Sequence, residues 1–437
     1  MGEPSKIRGS TAATIASSLR DLIQSGALPA GSTLPTIRSL AGQLNANRNT
    51  VAAAYGQLRA AGLVEARRRA GTVVVGAPEL AGEGQAAAAP VVNLAHGNPA
   101  MEFLPDIAQS MGGYRSTLYG APPVSEEFAA HGARLLSPDV HGHHRILAAG
   151  GAVDALERLL TTHLTRGDLV AVEDPCFVSS IGLLHLHGLH ALPISVDSDG
   201  LDPDQLDAAS RRGARAVVIT PRAHNPTGAS LSAARARQVQ RVLRNHPDVF
   251  VIEDDHFSAV SARPYHRAIP TTSDRWALIR SVSKFLGPDL RVAFVAADPT
   301  TAERLERRLG AATTWVSHIL QHLTVTLLNS PHTQQLLGDA SAAYTTRSRT
   351  LVDELAARGI TAQSNVDGLN VWITLSTPEQ LVVDRLAHLG WAVRAGADFA
   401  VTTKPTNAIR VTTASITPEH AAAFSRDLSQ VVAEHAA

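Results

Sequence analysis

The chain has 437 residues, of which 44% are hydrophobic and 18% charged, so two or three folded domains are expected. Its single cysteine, Cys176, excludes an intramolecular disulfide framework and fits a reducing cytoplasm. The N-terminus lacks the apolar segment of a secretory signal, and no run approaches about 18 uninterrupted apolar residues. Neither a signal peptide nor a membrane span is therefore predicted.

The formal net charge is zero, but the charge is unevenly distributed along the chain. Residues 1–76 carry nine lysines and arginines against three acidic residues, a balance of +6 that the remainder offsets with −6. A small basic block on a mildly acidic body indicates an anionic partner for the N-terminal part alone. A solvated surface with a chance charge bias is the alternative interpretation.

Residues 1–76 show three helical patterns followed by two short strands. The positions predicted to face inward in the three helices are Ile15, Leu19, Leu22 and Ile23, then Ile37, Leu40, Ala41 and Leu44, and finally Val51, Tyr55 and Leu58. Gly26 and Gly62 end the first and third helices, and Thr36 is the candidate cap of the second. Residues 63–75 then read as two strands around a basic turn.

This order of elements is that of a winged helix-turn-helix, whose third helix enters the major groove by its N-terminal end. The candidate DNA contacts are Arg48, Asn49 and Thr50 at that end, Arg38 on the second helix, and Arg67, Arg68 and Arg69 in the wing. The words "SGALPAGSTLPTIRSLAGQL" and "NRNTVAAAYGQLRAAGLVEARRRAGTVV" resemble the GntR family of bacterial regulators. A three-helix packing module with incidental arginines is the alternative, which the charge balance and the wing disfavour.

A flexible linker is predicted at residues 77–91, between a DNA-binding domain at 1–76 and a body at 92–437, because this stretch is rich in small residues and poorly periodic. Within the body, apolar runs alternate with helical segments. The runs are "DLVAVEDP", "HALPISV", "RAVVITP", "VFVIEDD", "WALIRSVS" and "RVAFVAA". Such short, nearly continuous runs are typical of strands buried on both faces of a mostly parallel sheet. The predicted fold is a doubly wound α/β body with a smaller C-terminal α+β subdomain at roughly 325–437.

Five sequence motifs whose residues suggest a chemical role follow one another in the body. They are "LAAGGAVDALERLL", "VEDPCF", "TPRAHNPTG", "VIEDDHF" and "SVSKFLGPDLR". The first is a glycine turn that opens a helix, whose free N–H groups can cradle a phosphate. In this order the five motifs resemble those of the fold type I pyridoxal-phosphate (PLP) enzymes of the aspartate aminotransferase superfamily. The resemblance covers most of residues 92–437.

Lys284 is one of only three lysines in the chain, the others being Lys6 and Lys404, although Lys and Arg together number 39. Arginine can replace lysine where only a positive charge is needed, but not where a deprotonated amine must attack a carbonyl. The resemblance implies that Lys284 forms the Schiff base with PLP. A solvated surface lysine is the alternative, and the strand before Lys284 and the full motif disfavour it.

The resemblance also assigns the partners of the PLP ring. Asp254 would pair with the pyridine nitrogen, with Asp255 as the alternative if the register is off by one. Asn225 and His256 would reach the phenolic oxygen. Phe177 would stack on the ring, with ordinary core packing as its alternative.

The remaining implied residues hold charged groups. The phosphate set is Gly150, Gly151, Ala152, Ser281, Ser283 and Arg291, with Tyr119 reaching in from the other subunit of a dimer. Arg410, in the word "NAIRVTTAS", matches the arginine that grips a ligand carboxylate as a bidentate fork. A structural ion pair is the alternative for Arg410.

The sequence departs from the family pattern at several of these positions. His256 stands where the family usually has a tyrosine, and imidazole titrates near neutrality. Val153 and Asp154 stand where a glutamine often follows the glycines, and Phe177 replaces the commoner tyrosine. We therefore expect intact cofactor binding but weak transamination. The histidines in residues 141–144 and 185–190 lack cysteine or acidic ligands at zinc spacing, so no metal site is predicted.

A GntR-type unit joined to an aminotransferase-like body resembles the MocR subfamily of bacterial transcription regulators. The resemblance implies a cytoplasmic homodimer that binds operator DNA and senses a small amine, an amino acid or PLP itself. Two alternatives stay open. One is an active PLP-dependent aminotransferase with a DNA-binding appendage, and the other is a DNA-binding dimer whose body no longer holds PLP.

Overall fold

The computed structural model describes residues 7–67, 71–75, 92–363, 365–402 and 406–434. The chain divides into two compact units, Met1–Glu79 and Leu80–Ala437. The predicted linker at 77–91 lies outside the described residues.

The N-terminal unit has the predicted order of three helices and a two-stranded ribbon. Its elements are α1 (Ala12–Gln24), α2 (Ile37–Gln43), α3 (Arg48–Ala60), β1 (Val64–Arg67) and β2 (Gly71–Val74). The two strands pair antiparallel, with Val64 opposite Val74. Thr36 caps α2 as predicted, because its hydroxyl accepts a hydrogen bond from the Ser39 N–H.

The core of this unit is built by the predicted inward faces of the helices, with one exception. The buried members of the predicted set are Ile15, Leu19, Leu40, Ala41, Val51, Tyr55 and Leu58. Leu22, Ile23 and Leu44 are half-buried. Ile37 is exposed, so its predicted inward placement was wrong. It is the first residue of α2, where the Cβ points back past the end of the helix and no preceding turn of helix covers it.

The C-terminal unit carries all the later strands and helices. Its strands are β3 (Val92–Asn93), β4 (Arg145–Ala149), β5 (Leu169–Asp174), β6 (His190–Asp197), β7 (Gly200–Leu201), β8 (Ala214–Ile219), β9 (Phe250–Asp254), β10 (Trp276–Ser281), β11 (Ala293–Ala297), β12 (Asn370–Thr374), β13 (Trp391–Ala392), β14 (Arg394–Ala395) and β15 (Ala408–Thr412). Its helices are α4 (Glu126–Leu136), α5 (Ala152–His163), α6 (Val178–His187), α7 (Pro203–Arg211), α8 (Ala233–Arg244), α9 (Pro299–Gly310), α10 (His318–Asn329), α11 (Pro331–Ala356), α12 (Glu379–His388) and α13 (Pro418–Glu434).

An eight-stranded sheet forms the centre of this unit, in the order β4-β11-β10-β9-β8-β5-β6-β7. Strands β10, β9, β8, β5 and β6 run parallel to one another. Strand β11 is antiparallel to both of its neighbours, and β7 is antiparallel to β6. Each of the apolar runs predicted as strands supplies one strand of this sheet, so the predicted α/β architecture is confirmed.

Alternate residues of the central strands enter two apolar layers on opposite faces of the sheet. In β10, Leu278 packs in one layer while Ala277 and Ile279 pack in the other. A further antiparallel sheet, β12-β15-β14, has its own core, which includes Leu94 from the start of the unit. No helix within the described residues is long and apolar enough to cross a membrane.

Candidate functional site

Five of the predicted site residues lie at the carboxyl ends of strands in the central sheet. Asp254 and Ser281 are the last residues of β9 and β10, and Asn225 follows β8. Phe177 follows β5, and Gly150 follows β4. Because these strands point in the same direction, their carboxyl ends meet at one edge of the sheet. The fold therefore gathers side chains that are far apart in the sequence.

Lys284 lies just beyond β10 and is half-buried. Its Nζ donates a hydrogen bond of 2.6 Å to the carbonyl oxygen of Gly97. The Gly97 N–H in turn donates to the Thr412 hydroxyl at 3.1 Å, which fixes this carbonyl in place. The amine is thus held inside the unit, which disfavours the alternative of a solvated surface lysine.

The adjacent carboxylates Asp254 and Asp255 have opposite environments. Asp255 is completely buried and accepts hydrogen bonds from Arg222 Nε at 2.9 Å, Arg222 Nη2 at 2.6 Å and Arg280 Nε at 2.8 Å. Burial alone would raise the pKa of Asp255, but the two guanidinium groups outweigh it and hold this pKa below its usual value. Asp255 is therefore a structural ion-pair residue, and it is not available to a ligand.

Asp254 faces the other way. Its Oδ1 is buried without a hydrogen-bond partner in the described structure, and its Oδ2 lies 3.5 Å from His256 Nδ1. The His256 Nδ1 is likewise buried without a hydrogen bond. A buried carboxylate oxygen without a donor is costly, and a protonated pyridine nitrogen is a donor that would satisfy it. This orphaned oxygen fits the PLP ring and favours Asp254 over Asp255 as its partner.

The turn between β4 and α5 has the features of a phosphate cradle. Gly151 adopts a φ of 97°, in the left-handed region that favours glycine, and no side chain caps the helix at this residue. The first N–H groups of α5, from Ala152 onward, are therefore open to an anion. A Cβ on Gly151 would lie 3.6 Å from the Arg291 Cζ, so the predicted arginine stands beside the turn.

Two predicted hydroxyl groups lie near each other at the end of β10. The Ser281 and Ser283 hydroxyl oxygens are 3.2 Å apart, and the Ser283 N–H donates to the Ser281 Oγ at 3.3 Å. The Gly150 N–H donates to Asp154 Oδ2 at 2.8 Å. The Gly150 N–H is therefore engaged by a carboxylate of α5, and not free for a phosphate.

Arg410 lies on β15 and is completely buried. Its Nη1 donates to the Asn225 Oδ1 at 3.1 Å, and its Nη2 donates to the Ala95 carbonyl at 2.5 Å. Its guanidinium also lies 4.9 Å from the centre of the Phe399 ring. These contacts hold the buried guanidinium in place between β15, the segment after β8 and the start of the unit.

Phe177 and Tyr119 complete the predicted set in the body. Phe177 is half-buried and immediately precedes α6. Tyr119 is 93% exposed, and its ring lies 5.6 Å from that of Trp315. The contact described for Tyr119 is thus with Trp315, and the structure of one chain does not bring it to the residues around Lys284.

Sequence reasoning missed several groups that hold the site together. The carbonyls of Ala95 and Gly97 carry no side-chain signal, so no pattern could have revealed them. Arg222 and Arg280 stand inside the quoted words, and each is a buried arginine close to Asp255. An arginine within an apolar strand needs an acidic partner, which is the signal that could have identified this network. Within the described residues, no group of three or more His, Cys, Asp or Glu side chains is arranged to hold a metal ion.

The N-terminal unit presents its candidate DNA contacts on the surface. The Asn47 side chain accepts a hydrogen bond from the Asn49 N–H at 2.8 Å and so makes Arg48 the first residue of α3. Arg48, Asn49 and Arg38 are exposed, and Thr50 is half-buried. The Arg67 side chain and the whole of Arg68 and Arg69 lie outside the described structure.

Comparisons with known proteins agree with this division. Residues 11–74 match the family described as bacterial regulatory proteins, gntR family, and residues 89–426 match aminotransferase class I and II. The multiple substrate aminotransferase of Thermococcus profundus shares the fold, with a TM-score of 0.73 and 20% identity over 79% of this chain and 92% of that one. The fold and the matched regions define a regulator with a GntR-type helix-turn-helix, which implies DNA binding, and an aminotransferase body of a typically PLP-dependent kind.

The full-length relatives narrow this class. The chain is 45% identical to the vitamin B6 salvage pathway transcriptional repressor PtsJ of Salmonella typhimurium, over 98% of this chain and 99% of that protein. It is 26% identical to the pyridoxine biosynthesis transcriptional regulator PdxR of Corynebacterium glutamicum, over 86% of each chain. The chain belongs to the MocR subfamily of GntR-type transcription regulators, as its sequence motifs predict.

Proposed function

We propose that this regulator binds operator DNA through its N-terminal unit and responds through a PLP site in its body to a vitamin B6 compound or a small amine or amino acid. The observation that carries the proposal is that the fold places a half-buried Lys284 amine just beyond β10 and the orphaned, buried Asp254 Oδ1 at the end of the neighbouring strand β9. The names of the two vitamin B6 regulators among its relatives support PLP itself as an effector.

PLP, when bound, supplies an electrophilic aldehyde that condenses reversibly with primary amines. Lys284 supplies such an amine within the chain, and Asp254 would keep the pyridine nitrogen protonated. The other residues that would hold the cofactor are Gly151, Ala152, Ser281, Ser283 and Arg291 at the phosphate, Asn225 and His256 at the phenolic oxygen, and Phe177 at the ring. Together these side chains and the N–H groups of Gly151 and Ala152 would offer each polar part of PLP a group of matching character.

Arg410 would receive the carboxylate of an amino acid effector. A carboxylate there can accept two parallel hydrogen bonds from the guanidinium, a geometry that the single amide oxygen of Asn225 does not offer. A ligand changes DNA affinity only by its differential affinity for the two states, and a tenfold change needs only about 1.4 kcal/mol. One such charge-assisted contact is sufficient for this shift.

A homodimer in the cytoplasm is the form in which we expect this regulator to act. Leu118 and Tyr119 are large apolar residues that are 82% and 93% exposed on one chain, which supports burial against a second copy. A two-fold dimer also presents two helix-turn-helix units to two operator half-sites. Tyr119 would then complete the phosphate site of the partner chain.

The direct test combines the visible spectrum with DNA binding on the full-length protein. Addition of PLP is expected to give an absorbance band near ~400–430 nm that is absent in Lys284→Ala and retained in the lysine control Lys404→Ala. A gel shift on the DNA upstream of its own gene should change when PLP or a candidate amine is added. A missing band would refute cofactor binding. Steady-state turnover of an amino donor, without any change in DNA binding, would instead indicate an aminotransferase with a DNA-binding appendage.

A further inference from the structure

The phosphate cradle contains an acidic side chain of the protein itself. Asp154 lies in the first turn of α5, where its Oδ2 accepts the Gly150 N–H at 2.8 Å. A Cβ on Gly150 would lie only 3.3 Å from this oxygen, so the carboxylate is packed against the glycine turn. Its Oδ1 accepts a hydrogen bond from Arg158 Nε at 2.7 Å, which fixes the side chain in this position.

Side chains of opposite charge therefore lie beside the two glycines of the turn. Arg291 stands beside Gly151, where its guanidinium favours an incoming phosphate. Asp154 stands beside Gly150, where its carboxylate repels one. Asp154 is 25% exposed and forms an i,i+4 ion pair with Arg158 at 2.7 Å, which offsets part but not all of the repulsion between its carboxylate and a phosphate.

The first turn of a helix stabilises a single anion particularly well, because the free N–H groups and the helix dipole point at it. Asp154 supplies that anion from within the chain. A bound phosphate, with a charge of about −1.5 to −2, must then share the turn with a carboxylate, and it finds the Gly150 N–H already engaged. The same contact that stabilises α5 in the absence of ligand therefore opposes phosphate binding.

We propose that Asp154 weakens the hold of this chain on the phosphate of PLP, so that occupancy of the site follows the concentration of free PLP. The inference rests on the proposed function, since it requires that the body bind PLP. An enzyme gains from a cofactor that never leaves. A sensor of the cofactor needs a dissociation constant near the concentrations it reports, and a built-in competing anion supplies this adjustment.

The test compares PLP with pyridoxal, which has the same aldehyde and ring but no phosphate. Both are titrated into the full-length protein, and binding is followed by the visible spectrum and by tryptophan fluorescence. Asp154→Asn keeps the shape and the hydrogen-bond acceptor but removes the charge, and we expect it to tighten PLP binding about fivefold to tenfold. Pyridoxal affinity should stay within about twofold, because the carboxylate acts only on the phosphate.

Glu157→Gln is the matched control, since it removes one negative charge from the same helix at a residue whose carboxylate contacts His187 at 3.1 Å. It should leave the affinity for PLP unchanged. The PLP concentration that gives a half-maximal change in DNA binding should fall in Asp154→Asn by the same factor as the dissociation constant, because the two equilibria are linked.

The outcomes separate the two proposals. If Asp154→Asn changes PLP and pyridoxal affinity equally, or weakens PLP binding, Asp154 is only a helix-stabilising residue and the inference is overturned. Should the asparagine variant not fold, Asp154→Gln gives the same charge removal with a longer amide side chain. If the wild-type chain binds neither PLP nor pyridoxal, the proposed function itself fails along with the inference.

Discussion

The two units of this chain keep their candidate functional residues in opposite environments. In the N-terminal unit, Arg38, Arg48 and Asn49 are exposed and contribute little to the core. In the body, Asn225, Asp254 and Arg410 are only 5%, 8% and 0% exposed. Exposed charges can meet the phosphates of DNA at little cost to folding, whereas each buried polar group either has partners within the protein or destabilises the fold until a ligand supplies one. Substitutions should therefore separate function from stability in the first unit and couple them in the second.

The largest expected effect is the loss of Arg410. Arg410→Ala leaves a cavity in place of a buried guanidinium and removes its hydrogen bonds to Asn225 Oδ1 and the Ala95 carbonyl, so it should lower the free energy of unfolding by about 4 kcal/mol. All four tryptophans lie in the body, so tryptophan fluorescence in a urea titration measures this unit selectively. Arg38→Ala, in the N-terminal unit, should leave this transition unchanged. If Arg410→Ala lowers the free energy of unfolding by less than about 1 kcal/mol, substitutions at buried site residues of the body are not coupled to its stability.

Asp254 and Asp255 are both buried, but only Asp255 is ion-paired with arginines. Variants of the two residues therefore test whether burial or ion pairing determines the effect of a substitution on the stability of the body. Asp255→Asn leaves two buried guanidinium groups underpaired and should cost about 3 kcal/mol of unfolding free energy. Asp254→Asn removes a carboxylate that has no donor on Oδ1, so it should leave stability unchanged or slightly higher while weakening PLP at least about tenfold. Urea titrations and PLP spectra of both variants measure the two quantities. Equal losses of stability would show that the two side chains do not differ as described.

A third test measures how the free energy of unfolding depends on pH through the buried carboxyl group of Glu253. Burial raises the pKa of Glu253 to about 7, although the Tyr265 hydroxyl and the Ala268 N–H both lower it. The folded state therefore keeps a proton that the unfolded chain releases near its usual pKa of 4.5, so the free energy of unfolding falls as pH rises between these values. The contribution of this group should drop by about 2 kcal/mol between about pH 5.5 and about pH 7.

The control for this pH effect is Glu253→Gln, which cannot titrate. The difference in stability between Glu253→Gln and the wild type should move in favour of the variant as pH rises, while the histidines titrate equally in both proteins. Urea midpoints measured by tryptophan fluorescence across this range check the slope. A difference that stays constant with pH would place the pKa of Glu253 outside the range.

The smallest expected free-energy change is for substitutions on the exposed surface of the N-terminal unit that is predicted to contact DNA. These substitutions should alter DNA binding without altering stability. Arg48→Ala should weaken operator binding about tenfold, or about 1.4 kcal/mol, and should reduce the dependence of binding on salt. Arg59→Ala removes the same charge from the last turn of α3, roughly 16 Å along the helix, and should leave specific binding nearly intact. The thermal stability of both variants should match the wild type. Equal losses of DNA affinity would contradict α3 as a helix that reads DNA by its N-terminal end.

Much of the fold followed from local patterns in the sequence. The helices of the N-terminal unit and the continuous strands of the body have periodicities that do not depend on distant residues. The order of Lys284, Asp254, Asn225 and the glycine turn also indicated which ends of the strands would meet. Ile37 shows the limit of periodicity, because a helical face does not reveal where the helix begins.

The rest of the site depends on contacts that no local pattern contains. Asp255 is engaged in an ion-pair network while Asp254 is not, because Arg222 and Arg280 reach Asp255 from two other parts of the chain. Asp154 stands in the sequence where a glutamine is expected after the glycines, and only the structure reveals that its carboxylate accepts a hydrogen bond from the Gly150 N–H. The positions of Tyr119 and of the DNA contacts relative to their partners depend on a second chain and on DNA.

The short segment after β3 gives the two candidate ligand-binding cations a common anchor. Lys284 donates to the carbonyl of Gly97, and Arg410 donates to the carbonyl of Ala95. A ligand that draws either cation away leaves one of these carbonyls to be satisfied by water or by a movement of its own backbone. Ligand binding at Lys284 and at Arg410, which are far apart in the sequence, would therefore disturb the same stretch of main chain near the start of the C-terminal unit.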